Sequence, residues 1–212
     1  MKFNPIKRGA NRQKNEEQAL YEVLDAGFLC HVAFTHGGMA HQIPTTYGRE
    51  NHCLYLHGSS KNFMLNQLLN GQKVCISVTH LDGVVLAQTL FNTSANYRSA
   101  IVYGTAELVC EQSERMHALK VITEHIIPGR WDEVPLGSAS EIKATLVVKI
   151  PIESASVKMR AGGPQGDEKD NSHVWSGHIP LNLTASEAIF DRKFGESHSP
   201  TESVKAFRQK FK

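Results

Sequence analysis

Apolar positions recur along this chain with two periods, and the switches between them mark out its elements. Across residues 15–26, Leu20, Val23 and Leu24 fall on one helical face, and Gly27 follows as a stop. Alternation then takes over. Residues 28–35 read as a strand, His36-Gly37-Gly38 as its turn, and residues 39–47 as a second strand broken at Pro44. After a polar turn at 48–51 comes a third strand. Its Cys53, Tyr55 and His57 share one face, and its Leu54 and Leu56 share the other. Phe63, Met64, Leu65, Leu68 and Leu69 give a short helix, with Ser59 and Ser60 as candidate caps and Asn70-Gly71 as its end. Residues 73–86 form a strand with a bend near Asp82-Gly83, and residues 97–109 another, interrupted at Gly104. A helix over 113–127 has Ser113 as its expected N-cap, Met116, Leu119, Ile122 and Ile126 as its buried stripe, and Pro128-Gly129 as terminator. A last long strand spans 144–157, with an edge or bulge at Pro151. A polar, Gly-rich loop (161–173), an extended stretch (174–183) and a polar tail with room for one more helix complete the chain.

Strands joined by short connections, with few helices between them, predict a mainly β (α+β) chain: a closed or nearly closed antiparallel barrel with peripheral helices. A doubly wound sheet would need a helix between most strands, and those are absent. The expected organisation is an N-terminal arm (1–14), one domain (15–183) and a C-terminal polar tail (184–212).

Composition narrows the function classes. The chain has 212 residues, 41% hydrophobic and 21% charged, enough for a sizeable core without disulfides. A formal net charge of +2, with basic residues scattered or confined to the two ends, argues against a nucleic-acid binder. Cys30, Cys53, Cys75 and Cys110 show no Cys-x-x-Cys spacing and read as reduced residues packed in strands. No signal peptide and no apolar run of membrane-spanning length is visible, so the expected location is the cytoplasm, with no membrane partner.

The main candidate for chemistry is Leu54-Tyr55-Leu56-His57-Gly58-Ser59-Ser60-Lys61-Asn62. Here a strand runs through a glycine and two serines to a lysine at a helix start. Helix N-termini favour anions, Gly58 admits close approach, the serines add hydroxyl donors and Lys61 adds a point charge. Read without a ligand, the same residues are a serine cap and a solvated lysine. A second candidate is Gln42-Ile43-Pro44-Thr45-Thr46-Tyr47, where Pro44 removes a backbone donor and disturbs regular pairing; without a ligand it is a kinked edge strand. Asn96-Tyr97-Arg98-Ser99 places an arginine that reaches either a phosphate or an ion-pair partner. The eleven histidines lack metal-ligand spacing, and no metal site is expected.

In order and spacing these pieces resemble the pyridoxamine 5'-phosphate oxidase-like, FMN-binding split-barrel superfamily. The nearest likeness is to its flavin-nucleotide-binding branch with the 5-nitroimidazole resistance (Nim-type) reductases. The likeness runs from Lys7-Arg8 and Arg12 through Ile43-Pro44-Thr45-x-Tyr47 and Leu56-His57-Gly58-Ser59-Ser60-Lys61 to Tyr97-Arg98-Ser99-x-x-Val102-x-Gly104. It continues in Lys143-Ala144-Thr145, Ile150-Pro151-Ile152, Ser156-Val157-Lys158-x-Arg160-x-Gly162-Gly163-Pro164 and Trp175-Ser176-Gly177-His178-Ile179-Pro180-Leu181.

The resemblance implies a six-stranded antiparallel split barrel that works as a homodimer, with FMN at the subunit interface. It implies that Ile43, Pro44, Thr45, Thr46 and Tyr47 line the isoalloxazine ring, and that His57, Gly58, Ser59, Ser60, Lys61 and Asn62 hold the ribityl and phosphate. Trp175 closes the site, and Arg98 is a further candidate. The function it implies is an FMN-dependent oxidoreductase reducing a small acceptor such as a nitro compound; the alternative is a flavin- or haem-binding carrier, sensor or scavenger. The chain departs from the true oxidases in lacking their C-terminal Arg- and His-containing substrate motif, for which Arg192-Lys193-Phe194 is no match.

Overall fold

A computed structural model describes residues 1–166, 173–191, 193 and 198–211. Arg192 and Phe194 therefore lie outside the described residues, as does part of the Gly-rich loop. In chain order the strands are β1 (Lys2–Phe3), β2 (Gln13–Lys14), β3 (Leu29–His36), β4 (Met39–Thr46), β5 (Gly48–Glu50), β6 (Cys53–Ser59), β7 (Lys73–Leu86), β8 (Ser94–Thr105), β9 (Glu107–Leu108), β10 (Thr145–Pro151), β11 (Ser154–Arg160) and β12 (Gly177–Pro180). The α-helices are α1 (Glu17–Asp25), α2 (Phe63–Leu68), α3 (Gln112–Ile126), α4 (Ala139–Ala144) and α5 (Glu202–Lys210). The class is the expected α+β one, dominated by sheet. More strands appear than the six expected: the two-residue strands β1, β2 and β9 join the sheet margins, β5 and β12 add two further short strands, and the long strand read over 144–157 is two strands, β10 and β11, parted at Ile152-Glu153.

The chain divides into two compact units. The first comprises residues 1–44, 73–104 and 152–182. Its sheet has the order β1-β11-β8-β7-β3-β4, with β12 also on β7 and β2 also on β11. Alternation in β3 turns Cys30, Val32 and Phe34 inward, and β7 does the same with Val74, Ile76 and Val78. Leu20, Val23 and Leu24 of α1 are fully buried, as the helical period predicts. His80 Nε2 lies 2.9 Å from the Val23 carbonyl oxygen, at the end of that helix. A Cβ on Gly27 would sit 2.7 Å from the His80 ring, so close approach, not a special backbone angle, demands glycine after α1. No turn interrupts the chain at Asp82-Gly83, where β7 is continuous. There β12 lies alongside, with the Ile179 carbonyl oxygen 2.7 Å from where a Gly83 Cβ would be.

The second unit comprises residues 45–72, 105–151 and 183–212. Its sheet runs β5-β6-β10-β9. The longest ladder pairs β6 antiparallel with β10, from Cys53 opposite Pro151 to Ser59 opposite Thr145. Tyr55 and Val147 meet Val109 and, from α3, Ala118 and Ile122 in one apolar cluster. The α3 backbone passes so near β5 that a Cβ on Gly48 would fall 2.6 Å from the Ile122 Cα. The N-cap of α3 is Glu111 rather than Ser113. Two helices complete this unit. The short α4 begins with a capping box, Ser138 to Glu141. The first turn of the tail helix α5 is held by Glu133, whose carboxylate accepts from both the Ser203 amide (2.8 Å) and its hydroxyl.

Candidate functional site

The turn at 57–62 leaves the β6–β10 ladder with its backbone already engaged. The Ser60 amide donates to the Ala144 carbonyl (2.9 Å), the Lys61 amide to Ser59 Oγ (3.2 Å) and the Asn62 amide to the Ser59 carbonyl (2.8 Å). The helix cap is neither serine. Asn62 is the N-cap of α2, and its Oδ1 accepts from the Leu65 amide at 3.0 Å. An amide side chain at that position meets the helix geometry, which frees both serine hydroxyls from capping. The expected cradle of amide hydrogens is thus replaced by side chains: exposed Ser59, Ser60 and Lys61 at the mouth of the turn. Lys61 forms no ion pair among the described residues. Gly58 sits under them. A Cβ there would lie 3.1 Å from Leu65 and 3.3 Å from Asn62, so a larger residue would push the turn off α2.

His57, opposite Val147 in the ladder, is half-buried. Its Nδ1 is buried without a hydrogen-bond partner. Burial disfavours the imidazolium and lowers its pKa below the ordinary value. The turn therefore combines an external ammonium, two hydroxyls and a neutral imidazole with one unmet nitrogen. Such a set suits a phosphate ester on the outside and a neutral contact or metal ligand within.

In the same unit, Thr45 and Thr46 are half-buried, while Tyr47 is fully buried with its ring 4.9 Å from that of His125. Tyr47 is a core residue behind the strand. The next residue, Gly48, pairs with Tyr55 of β6, so the 45–47 segment leads directly to the strand that carries His57.

The other candidates belong to the first unit. Ile43 is half-buried and Pro44 exposed on β4. Trp175 is 63% exposed. Arg98 grips Asp82 with two hydrogen bonds, Nε to Oδ2 at 3.0 Å and Nη2 to Oδ1 at 2.8 Å, which raises its pKa through the carboxylate it donates to. Its fork is occupied by a protein carboxylate.

Sequence reasoning missed Arg160, which is 6% exposed at the end of β11. Its Nη1 donates to Asn96 Oδ1 and to the Gly162 carbonyl (3.2 Å), and its Nη2 to the Gly163 carbonyl (2.9 Å). Asn96, also buried, donates to the same Gly162 carbonyl at 3.1 Å. No local pattern gives this away, because Arg160 falls off the buried parity set by Ala155 and Val157. The one available signal is an arginine one residue short of a Gly-Gly pair, Arg160-Ala161-Gly162-Gly163.

With this geometry in place, comparison with known proteins defines the class. Residues 16–159 match the family model described as pyridoxamine 5'-phosphate oxidase, and the chain belongs to that family. Among solved structures it is similar to the flavocytochrome Anf3 from Azotobacter vinelandii, at 31% identity and a TM-score of 0.89, covering 96% of this chain and 95% of that one. It is also similar to the FAD and haem binding protein from Mycobacterium smegmatis, at 30% identity and a TM-score of 0.87, covering 93% and 97%. A candidate 5-nitroimidazole antibiotic resistance protein from Bacteroides thetaiotaomicron shares the fold at 22% identity and a TM-score of 0.59, covering 69% and 85%. A search of curated proteins gives no match. Among the described residues, no helix is long and apolar enough to cross a membrane.

Proposed function

We propose that this protein binds a flavin and acts as an oxidoreductase that passes electrons from the reduced flavin to a small acceptor, such as a nitro compound. The observation that carries the reading is the pair of end-to-end similarities, at 30% and 31% identity, to proteins named for flavin together with haem. The chain's own residues fit the ligand's anionic end. Lys61, exposed and without an ion pair among the described residues, offsets the phosphate charge, and the Ser59 and Ser60 hydroxyls donate to its oxygens. Gly58 and Asn62 keep the turn close-packed beneath, and His57 meets the ribityl side. Half-buried Thr45 and Thr46 of the same unit line the ring, and Tyr47 supports them from within the core. The isoalloxazine supplies the electron chemistry, and the protein supplies binding and orientation. We take the flavin to be FMN, one phosphate for one ammonium, held at the interface of a homodimer.

The test begins with the colour of the purified protein. Flavin released by heat and separated by chromatography identifies FMN, whereas FAD would match the form named for the Mycobacterium relative and correct the choice of flavin. Bleaching by NADH or NADPH and recovery on adding a nitroimidazole supports the reductase. A colourless protein that takes up neither flavin defeats the reading.

A second reading, haem binding, is favoured by the same two relatives and by His57. A neutral imidazole with an unmet nitrogen has the chemistry of an axial ligand. A Soret band on adding haemin, lost in His57→Ala, distinguishes it from flavin binding alone.

A further inference from the structure

The β3–β4 hairpin carries a cluster unrelated to the flavin reading. Its two turn residues, Gly37 (φ 58°) and Gly38 (φ 75°), both have positive φ, the signature of the tight two-residue turn that matches strand twist. Nothing lies within 4 Å of where a Cβ would be on either, so the backbone angle alone calls for glycine. A two-residue turn fixes the register: His36 stands opposite Met39, and Phe34 opposite His41. The rings agree with this. Phe34 and His41 stack at 5.3 Å between centroids and 15° between planes, and His36 meets His41 edge-on across the diagonal at 6.0 Å. Opposed residues share a face, and on β4 Met39 and His41 share theirs. His36, Met39 and His41 therefore lie together on one face of the hairpin, just beyond buried Phe34. His36 is exposed, Met39 is 68% exposed and His41 is half-buried.

We propose that this hairpin tip is a copper(I) site whose ligands are the imidazoles of His36 and His41 and the thioether sulfur of Met39. Two borderline nitrogens and one soft sulfur, with no carboxylate among them, select copper(I) over zinc, calcium or magnesium. Among the described residues no group of three or more His, Cys, Asp and Glu side chains gathers to hold a metal, so this donor set is of a different kind. His36 and Met39 are exposed, and gathering the three donors on one ion calls for side-chain rotation across the diagonal. Binding involves no change of oxidation state, and the copper arrives and stays as copper(I).

Free thiols compete for the same ion, and Cys110 is exposed. The test therefore uses the full chain carrying Cys110→Ser, titrated anaerobically with copper(I) against a chromophoric chelator. One equivalent should be retained. Affinity should fall about tenfold or more in Met39→Leu and again in His41→Gln, because each removes one ligand. Nickel(II), which has little use for a thioether, should bind Met39→Leu and its parent alike. Copper(I) affinity unchanged by Met39→Leu, or no copper retained once Cys110 is serine, overturns the proposal. Circular dichroism of each variant checks that the fold is intact.

Discussion

Two cations stand in comparable places and are used in opposite ways. Arg160 ends β11 before Gly162-Gly163, and Lys61 follows Gly58-Ser59-Ser60 at the end of β6. Arg160 is buried, and the partners of its Nη1 and Nη2 are all neutral: one amide side chain and two turn carbonyls. A buried charge is costly unless its donors are met; here the two terminal nitrogens are met and tie the turn to β8 through Asn96, while Nε has no partner among the described residues. Lys61 is exposed and forms no ion pair among the described residues. The difference teaches that burial assigns a cation to the fold, and that an exposed cation at a built turn is left for something from outside.

The sharpest way to break this comparison is Arg160→Ala. It takes the donor from buried Asn96 Oδ1 and from the part-buried Gly163 carbonyl, leaves the Gly162 carbonyl with Asn96 alone, and should cost about 2–4 kcal/mol in a denaturant titration. A loss near zero would mean that the turn stands without it. Lys61→Ala should leave the denaturation midpoint almost unmoved while flavin dissociates about tenfold more readily, about 1.4 kcal/mol in binding. Fluorescence of released flavin measures this. If the two variants exchanged their effects, the division between structural and ligand cations would be wrong. Arg98→Ala probes the middle case. Arg98 and Asp82 are each about one-third exposed (35% and 33%), so the cost should be about 0.5–1 kcal/mol and should shrink as salt is added.

The smallest effect concerns His57, whose folded pKa lies below its ordinary value of 6.5. Between those two values the unfolded chain binds more protons than the folded one, so stability rises with pH through that window. Above 6.5 both states are neutral and the effect vanishes. Unfolding curves of the protein and of His57→Gln should therefore run parallel above neutrality, and the parent should weaken more steeply as pH falls below that value. Equal slopes in acid would show that the imidazole is not held neutral by burial.

Much of this was legible in sequence. Period alone found α1, with Leu20, Val23 and Leu24 inward, and the alternating strands around it. The tail helix and the turn at 57–62 were also anticipated. Side-chain competition for the same role was not legible. Ser59, Ser60 and Asn62 all cap helices well, and only the path of the chain shows that Asn62 does so. Tyr47 is expected to line the flavin ring beside Thr45 and Thr46, yet it is fully buried against His125, far along the chain. The Arg160–Asn96 contact is likewise a meeting of distant residues that leaves no local period. The capping box at Ser138 was readable, since Ser-x-x-Glu stands in the sequence, but the run after it has too little apolar repeat to announce a helix.

The first residues of the chain deserve a practical conclusion. β11 has β8 along one side. Along the other, β1 lies parallel to Ser154 and Ala155, and β2 antiparallel to Val157 and Lys158. The Asn4 amide donates to Ala155, and the Asn4 side chain to Ser154. Residues that look like a loose basic leader are thus a hem stitched along a raw border of sheet. Trimming them to tidy the protein for crystals would bare that border to the next molecule, and the shortened chain should come off a sizing column as self-associated material. Any purification handle belongs ahead of Lys2, with everything through Lys14 kept.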